Sequence, residues 1–135
     1  MDCIFCKIVS GQIPTKKIKE TSQSMSFLDA FPLTKGHVLV IPKQHHKKLQ
    51  DLTVEENSDL FSLVHDVMSK VDVVTGSTLL AIHNGENAGQ EIPHVHVHLV
   101  PRSKNDSAGP IHSMFKSSLQ LSESEIDEIY NQLKF

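Results

Sequence analysis

The stretch Glu91-Ile92-Pro93-His94-Val95-His96-Val97-His98-Leu99-Val100-Pro101-Arg102 sets three imidazoles two residues apart, with valines between them. In an extended strand, residues i, i+2 and i+4 share a face. His94, His96 and His98 then point one way, and Val95, Val97 and Leu99 point the other, toward a core. Three chemistries suit such a row. One is a solvated polar face on an antiparallel sheet, although serine, threonine or lysine would serve that purpose as well. A second is metal binding, since histidine is the commonest ligand. At about 3.3 Å rise per residue, however, His94 and His98 stand about 13 Å apart, so all three do not meet on one zinc ion. One or two of them could, with ligands from elsewhere. The third is nucleophilic catalysis. A neutral imidazole attacks phosphorus or carbonyl carbon, a neighbour hydrogen-bonds the oxyanion, and another orients.

The loop ahead of the row favours phosphorus. Asn84-Gly85-Glu86-Asn87-Ala88-Gly89-Gln90 has the glycines for a tight turn, and such turns present backbone N–H groups to anions. A second constellation sits at the N-terminus. Cys3-x-x-Cys6 has metal-ligand spacing, and buried inert thiols are its plain alternative. A redox reading needs a strand before the pair, and nothing precedes Cys3 but Met1 and Asp2. Of the other histidines, His65 and His83 read as structural or surface residues, with His83 facing opposite to Asn84, and His112 lies in an irregular segment.

The elements that position these groups follow from periodicity. Residues 3–9 read as a short helix or turn, and 16–20 and 24–29 as two short strands. Residues 37–41 form a strand closed by Pro42, with His37, Leu39 and Ile41 on one face and Val38 and Val40 on the other. A main helix spans about 53–75. Thr53 and Glu56 form its capping box, and Leu60, Val64, Val67, Val71 and Val74 its buried stripe. Gly76 ends it. Residues 78–84 and about 92–100 are strands. A last helix covers about 122–134, capped by Ser122 and Glu125, with Ile126, Ile129, Tyr130 and Leu133 as its stripe. Strands joined by short connections favour an antiparallel sheet of about five strands with helices on one face, an α+β fold.

The 135 residues suffice for one domain, taken as 1–135. A hydrophobic content of 39% with 21% charged residues fits a globular chain. The net charge of -3 argues against wholesale electrostatic binding to nucleic acid or an anionic membrane. No apolar run approaches the roughly 20 residues of a spanning helix, and MDCIFCKIVSG does not read as a signal peptide. A cytoplasmic protein is the expectation.

The pattern from Asn84 to Arg102, with His-x-His-x-His-x-x over His94 to Val100 and apolar residues at each x, resembles the histidine triad (HIT) family. The resemblance extends to CIFCKIVSGQIP, to SMSFLDAFPLTKGHVLVIPKQH and to the main helix, essentially residues 1–102, and is strongest for its Hint-like and bacterial branch. It implies an enzyme that hydrolyses or transfers nucleotides at the α-phosphorus, with His96 as nucleophile and a nucleotidyl-histidine intermediate. His98 would hydrogen-bond the phosphate or leaving group, Gln90 and the Gly89 backbone would hold the phosphate, and Asn84 sits at the matching phosphate-loop position. Asp29 stands where the family binds ribose hydroxyls, and His37 where it buttresses the triad. The substrate would be a purine nucleoside phosphoramidate, an adenylylated amine or a dinucleoside polyphosphate.

The resemblance also implies a structural zinc on Cys3, Cys6, His45 and His94, with His46 as an alternative to His45, and a homodimer joined sheet to sheet. One departure stands out: Glu91 occupies the position after the Gly-Gln pair where related phosphoramidases often carry serine or threonine. A carboxylate there permits another reading, a zinc-stabilised nucleotide-binding regulator with little turnover. A zinc enzyme with metal at His96 and His98 is a further one.

Overall fold

The computed structural model describes residues 2–135. Five strands form one antiparallel sheet: β1 (Lys17–Glu20), β2 (Ser24–Leu28), β3 (Val38–Pro42), β4 (Thr78–Ala81) and β5 (Val97–Pro101). Their spatial order is β1-β2-β3-β5-β4. The histidine strand therefore lies between β3 and β4, and Leu39 and Ala81 both oppose His98 in register.

The alternation read from the sequence decides what each face of the sheet buries. Val38, Val40, Val95, Val97 and Leu99 pack on Leu60, Leu63, Val64, Val67 and Val71 of α2 (Val54–Asp72). Thr53 caps α2: its hydroxyl accepts from Glu56 N–H, and the Glu56 carboxylate accepts from Thr53 N–H. Beyond α2, Gly76 turns back with φ of 87°, and its N–H donates to the Asp72 carbonyl at 2.7 Å.

The expectation of helices on one face only is corrected. The opposite face is buried too, with Met25, Phe27, Leu39 and Ile41 packing on Cys3, Phe5 and Ile8 around the short helix α1 (Ile4–Val9). Strand β3 carries apolar residues on both faces, β2 sets Met25 and Phe27 on one face and Ser24 and Ser26 on the other, and Ser24 to Phe27 and Val38 to Pro42 are all buried.

Two further differences follow from backbone hydrogen bonding. The ladder of β5 begins at Val97, not at residue 92. Pro93 has no N–H, His94 N–H donates to Ile92 O at 2.8 Å, and Val95 N–H to His46 O at 2.8 Å. His94 and His96 thus stand on an irregular segment while keeping the face they would have in a strand. The last helix, α3 (Glu123–Leu133), has its capping box at Ser122 and Glu125. Its stripe is not buried: Ile126, Ile129, Tyr130 and Leu133 are exposed, as is every residue from Ser107 to Phe135. The sheet face that α3 would cover is already taken by α2. Among the described residues no helix is long and apolar enough to cross a membrane.

Candidate active site

Phe5 divides the histidines into two groups. Its ring meets His94 edge-on at 5.6 Å between centroids and His96 at 5.0 Å. On one side lies a sulfur and nitrogen cluster, and on the other an open cavity of about 430 Å³ that His96 and His98 line.

The cluster consists of Cys3, Cys6, His45 and His94, whose ligand atoms all lie within 4.8 Å of one another. His94 Nδ1 is 3.5 Å from Cys3 Sγ and 3.7 Å from Cys6 Sγ, and His45 Nδ1 is 3.4 Å from Cys6 Sγ. Bonds of about 2.0–2.3 Å to a tetrahedral zinc place neighbouring ligand atoms about 3.6 Å apart, so the quartet fits a metal. His94 Nε2–H donates to the Pro42 carbonyl at 2.8 Å, which leaves the Nδ1 lone pair facing the two sulfurs. His46 is not part of the cluster. Its Nε2 lies 3.0 and 3.1 Å from the two oxygens of Glu56.

In the cavity the hydrogen bonds assign the tautomers of His96, His37 and His98. His96 is 7% exposed, and its Nδ1–H donates to the His94 carbonyl at 2.7 Å. The lone pair of a neutral His96 is therefore on Nε2. A second chain starts at the backbone: Leu33 N–H donates to His37 Nδ1 at 3.0 Å, so the proton of neutral His37 is on Nε2. His37 Nε2–H then donates to His98 Nδ1, 3.0 Å away, and the proton of His98 is on Nε2. That Nε2 is buried without a partner. One wall thus presents a lone pair and an N–H side by side, with the two rings 4.9 Å apart. Asp29, His37 and His98 also have metal-ligand proximity. A metal on His37 Nε2 would push its proton to Nδ1, against the Leu33 N–H, so His37 and His98 serve as a hydrogen-bonded pair with the Asp29 carboxylate beside them.

Burial keeps these rings neutral. It lowers the pKa of His37 and His96 below the ordinary value, and brings His94 and His98 to about 4. Between pH 6.5 and 4 the unfolded chain binds protons that the folded one refuses, so stability falls as pH drops through that window. For the fully buried His94 of metal-free protein, the loss by pH 4 is on the order of 3 kcal/mol. Urea midpoints at pH 7 and pH 5 check this; equal midpoints would contradict it.

The remaining sequence candidates divide. Asp29 lines the cavity; its Oδ1 accepts from Phe31 N–H at 2.9 Å, and its Oδ2 lies 3.5 Å from His37 Nε2. Gly89 lines it too, but its N–H donates to Glu86 O at 3.0 Å and that of Gln90 to Gly85 O at 3.2 Å, closing a short 3₁₀ turn at Glu86–Ala88. These N–H groups are turned inward rather than presented to an anion. The Gln90 carboxamide is also spent on backbone: it accepts from Gly85 N–H at 2.8 Å and donates to Lys47 O at 2.8 Å and Ile92 O at 3.1 Å. Asn84 accepts from Leu49 N–H at 2.9 Å and donates to Gln50 at 3.0 Å. Asn84 and Gln90 hold the loop and do not line the cavity.

His83 was missed. It is half-buried in the cavity wall, with its ring 5.4 Å from that of His98. Ala81 opposes His98, so two residues on, His83 shares the triad's face; the pairing register was the missing signal. Gly89, at φ of 102°, leaves His83 its space, since a Cβ there would come within 3.1 Å of the ring.

The model of the HIT domain matches residues 10–105. The chain belongs to the HIT family. It is 42% identical over 106 residues to the adenosine 5'-monophosphoramidase hnt1 of Schizosaccharomyces pombe, covering 78% of each chain. It is 37% identical over 112 residues to the asymmetrical bis(5'-nucleosyl)-tetraphosphatase of the same organism, covering 82% of this chain and 60% of that one. A zinc-bound histidine triad family protein from Mycobacterium smegmatis superposes with a TM-score of 0.72 at 34% identity, over 79% of each chain. The HIT relatives share the α+β sheet on which the histidine row stands.

Proposed function

We propose that this HIT protein is an enzyme that hydrolyses purine nucleoside phosphoramidates at the α-phosphorus through a covalent nucleotidyl-His96. The observation that carries it is the pair of assigned tautomers: a lone pair on His96 Nε2 beside an unpartnered N–H on His98 Nε2. The apolar end of the cavity, around Phe5, Ile8 and Phe27, suits a purine, and Asp29 beside it suits the ribose hydroxyls.

His96 Nε2 attacks phosphorus and forms an N–P bond. The P–N bond to the leaving amine breaks, and the amine nitrogen keeps the electron pair and takes a proton from solvent. Water then attacks phosphorus, the N–P bond to His96 breaks with its pair returning to Nε2, and the water gives up a proton. His98 Nε2–H hydrogen-bonds a phosphate oxygen throughout. The cationic phosphoimidazole is stabilised by the His94 carbonyl that holds its Nδ1–H. His37 acts through His98, by fixing its tautomer.

Cys3, Cys6, His45 and His94 would hold zinc, which when bound supplies a structural cross-link. A cytoplasmic setting keeps such thiols reduced. A homodimer is supported by the exposed apolar residues of the 103–135 segment and of the edge strand β4, where Leu80 is exposed.

The test is acid quench of wild-type protein during turnover of an adenosine phosphoramidate, followed by peptide mass analysis. AMP on the His96 peptide is the expected result. Sustained AMP release with no label on His96 would exclude the covalent route, and AMP binding without release would favour the regulator.

A further inference from the structure

The cavity that holds the histidine pair has an unusual charge for one meant to bind a phosphate. Two carboxylates line it, Asp29 and Glu91, and its lining includes no lysine or arginine among the described residues. Lys48 approaches the loop at Gly85 but is not part of the wall. Burial keeps His37, His96 and His98 neutral, so the two carboxylates are not offset by these rings.

The two acids sit differently. Asp29 adjoins His37 and the apolar end. Glu91 is on the segment that continues from Gly89, which overlies His83. Its place there is held by the neighbouring side chains: Gln90 is tied to Lys47 and Ile92 carbonyls, and Ile92 packs on the core beside α1. Glu91 itself is exposed, lines the cavity and makes no ion pair among the described residues. With the nucleoside at the Asp29 end, the group that leaves phosphorus has the 89–92 wall beside it.

We infer that Glu91 selects the leaving group by charge, favouring amines that carry a second ammonium and disfavouring polyphosphates. The inference rests on the hydrolase reading above. A terminal phosphate brought against the Glu91 carboxylate is repelled, whereas an alkylammonium supplies the cation that the wall lacks. For a half-solvated pair the effect on kcat/KM is about three- to tenfold.

The experiment compares kcat/KM for two adenosine N-alkyl phosphoramidates of equal length, one ending in an ammonium and one in a methyl group. Wild type should prefer the ammonium substrate by about three- to tenfold at low salt, less at high salt. Glu91→Gln should bring the ratio to about one, and Glu91→Lys should invert it and raise the relative rate on diadenosine tetraphosphate. The ratio is the readout, so a general loss of activity in a variant cancels. Turnover with the same ratio in wild type and Glu91→Gln would overturn the inference and leave the hydrolase reading standing. Turnover of neither amide by wild type would overturn both.

Discussion

His96→Ala is expected to lower kcat by on the order of 10⁴-fold or more while AMP still binds. The imidazole is the one group whose lone pair faces the cavity by hydrogen-bond assignment, since its other nitrogen is committed to the His94 carbonyl at 2.7 Å. None of the hydrogen-bonded groups beside it replaces it. His98 presents an N–H, His37 has both nitrogens engaged, and the Asp29 Oδ1 is held by the Phe31 N–H. His98→Ala should cost less, about 10²-fold, because it removes one hydrogen-bond donor to the phosphate rather than the covalent route. The substitution at 96 also strips a buried carbonyl of its partner, at a cost of about 1–3 kcal/mol. Circular dichroism and AMP titration therefore accompany the kinetics. A folded His96→Ala protein that releases AMP within tenfold of the wild-type rate would mean that another group attacks.

The second large effect is expected at the N-terminal cluster. Cys3→Ser should abolish stoichiometric zinc binding and lower the stability by several kcal/mol. Cys3 is 6% exposed and lies in the core between α1 and the sheet, so loss of the metal loosens a packed face and not a surface appendage. The change should reach catalysis as well. His94 gives its Nδ1 to the cluster, its Nε2–H to Pro42 and its carbonyl to the nucleophile, so one residue joins the metal site to the His96 tautomer. kcat should fall more than the AMP affinity does. Metal content by atomic absorption and thermal unfolding with and without chelator are the measurements. Wild-type protein that carries no metal after exposure to zinc, with a chelator-insensitive Tm, would contradict the prediction.

The outcome for particular residues shows where sequence reading succeeds. The alternation of His94, Val95, His96, Val97 and His98 foretold two faces, and the aliphatic set does pack on α2. The capping boxes at Thr53 and Ser122 were legible because each involves residues only three apart. The four cluster residues came from the family resemblance, and the structure adds the choice of His45 over His46, made by Glu56.

Other features depend on distant partners, and local pattern could not reveal them. The family resemblance placed Asn84 and Gln90 at the phosphate loop, and in the fold segments 47–50 supply hydrogen-bond partners for both. His83 joins the site only through the register of β4 against β5. The stripe of α3 has the periodicity of a buried helix, but periodicity states which residues want burial and not what will cover them. By itself, the sequence determined the elements, their polar and apolar faces and the family. Only the tertiary structure decided the tautomers, through Leu33, Pro42 and the His94 carbonyl, and the charge of the cavity that Asp29 and Glu91 share. Periodicity is written in neighbouring residues, whereas a proton's place on a ring is set by whichever donor or acceptor the fold brings within about 3 Å.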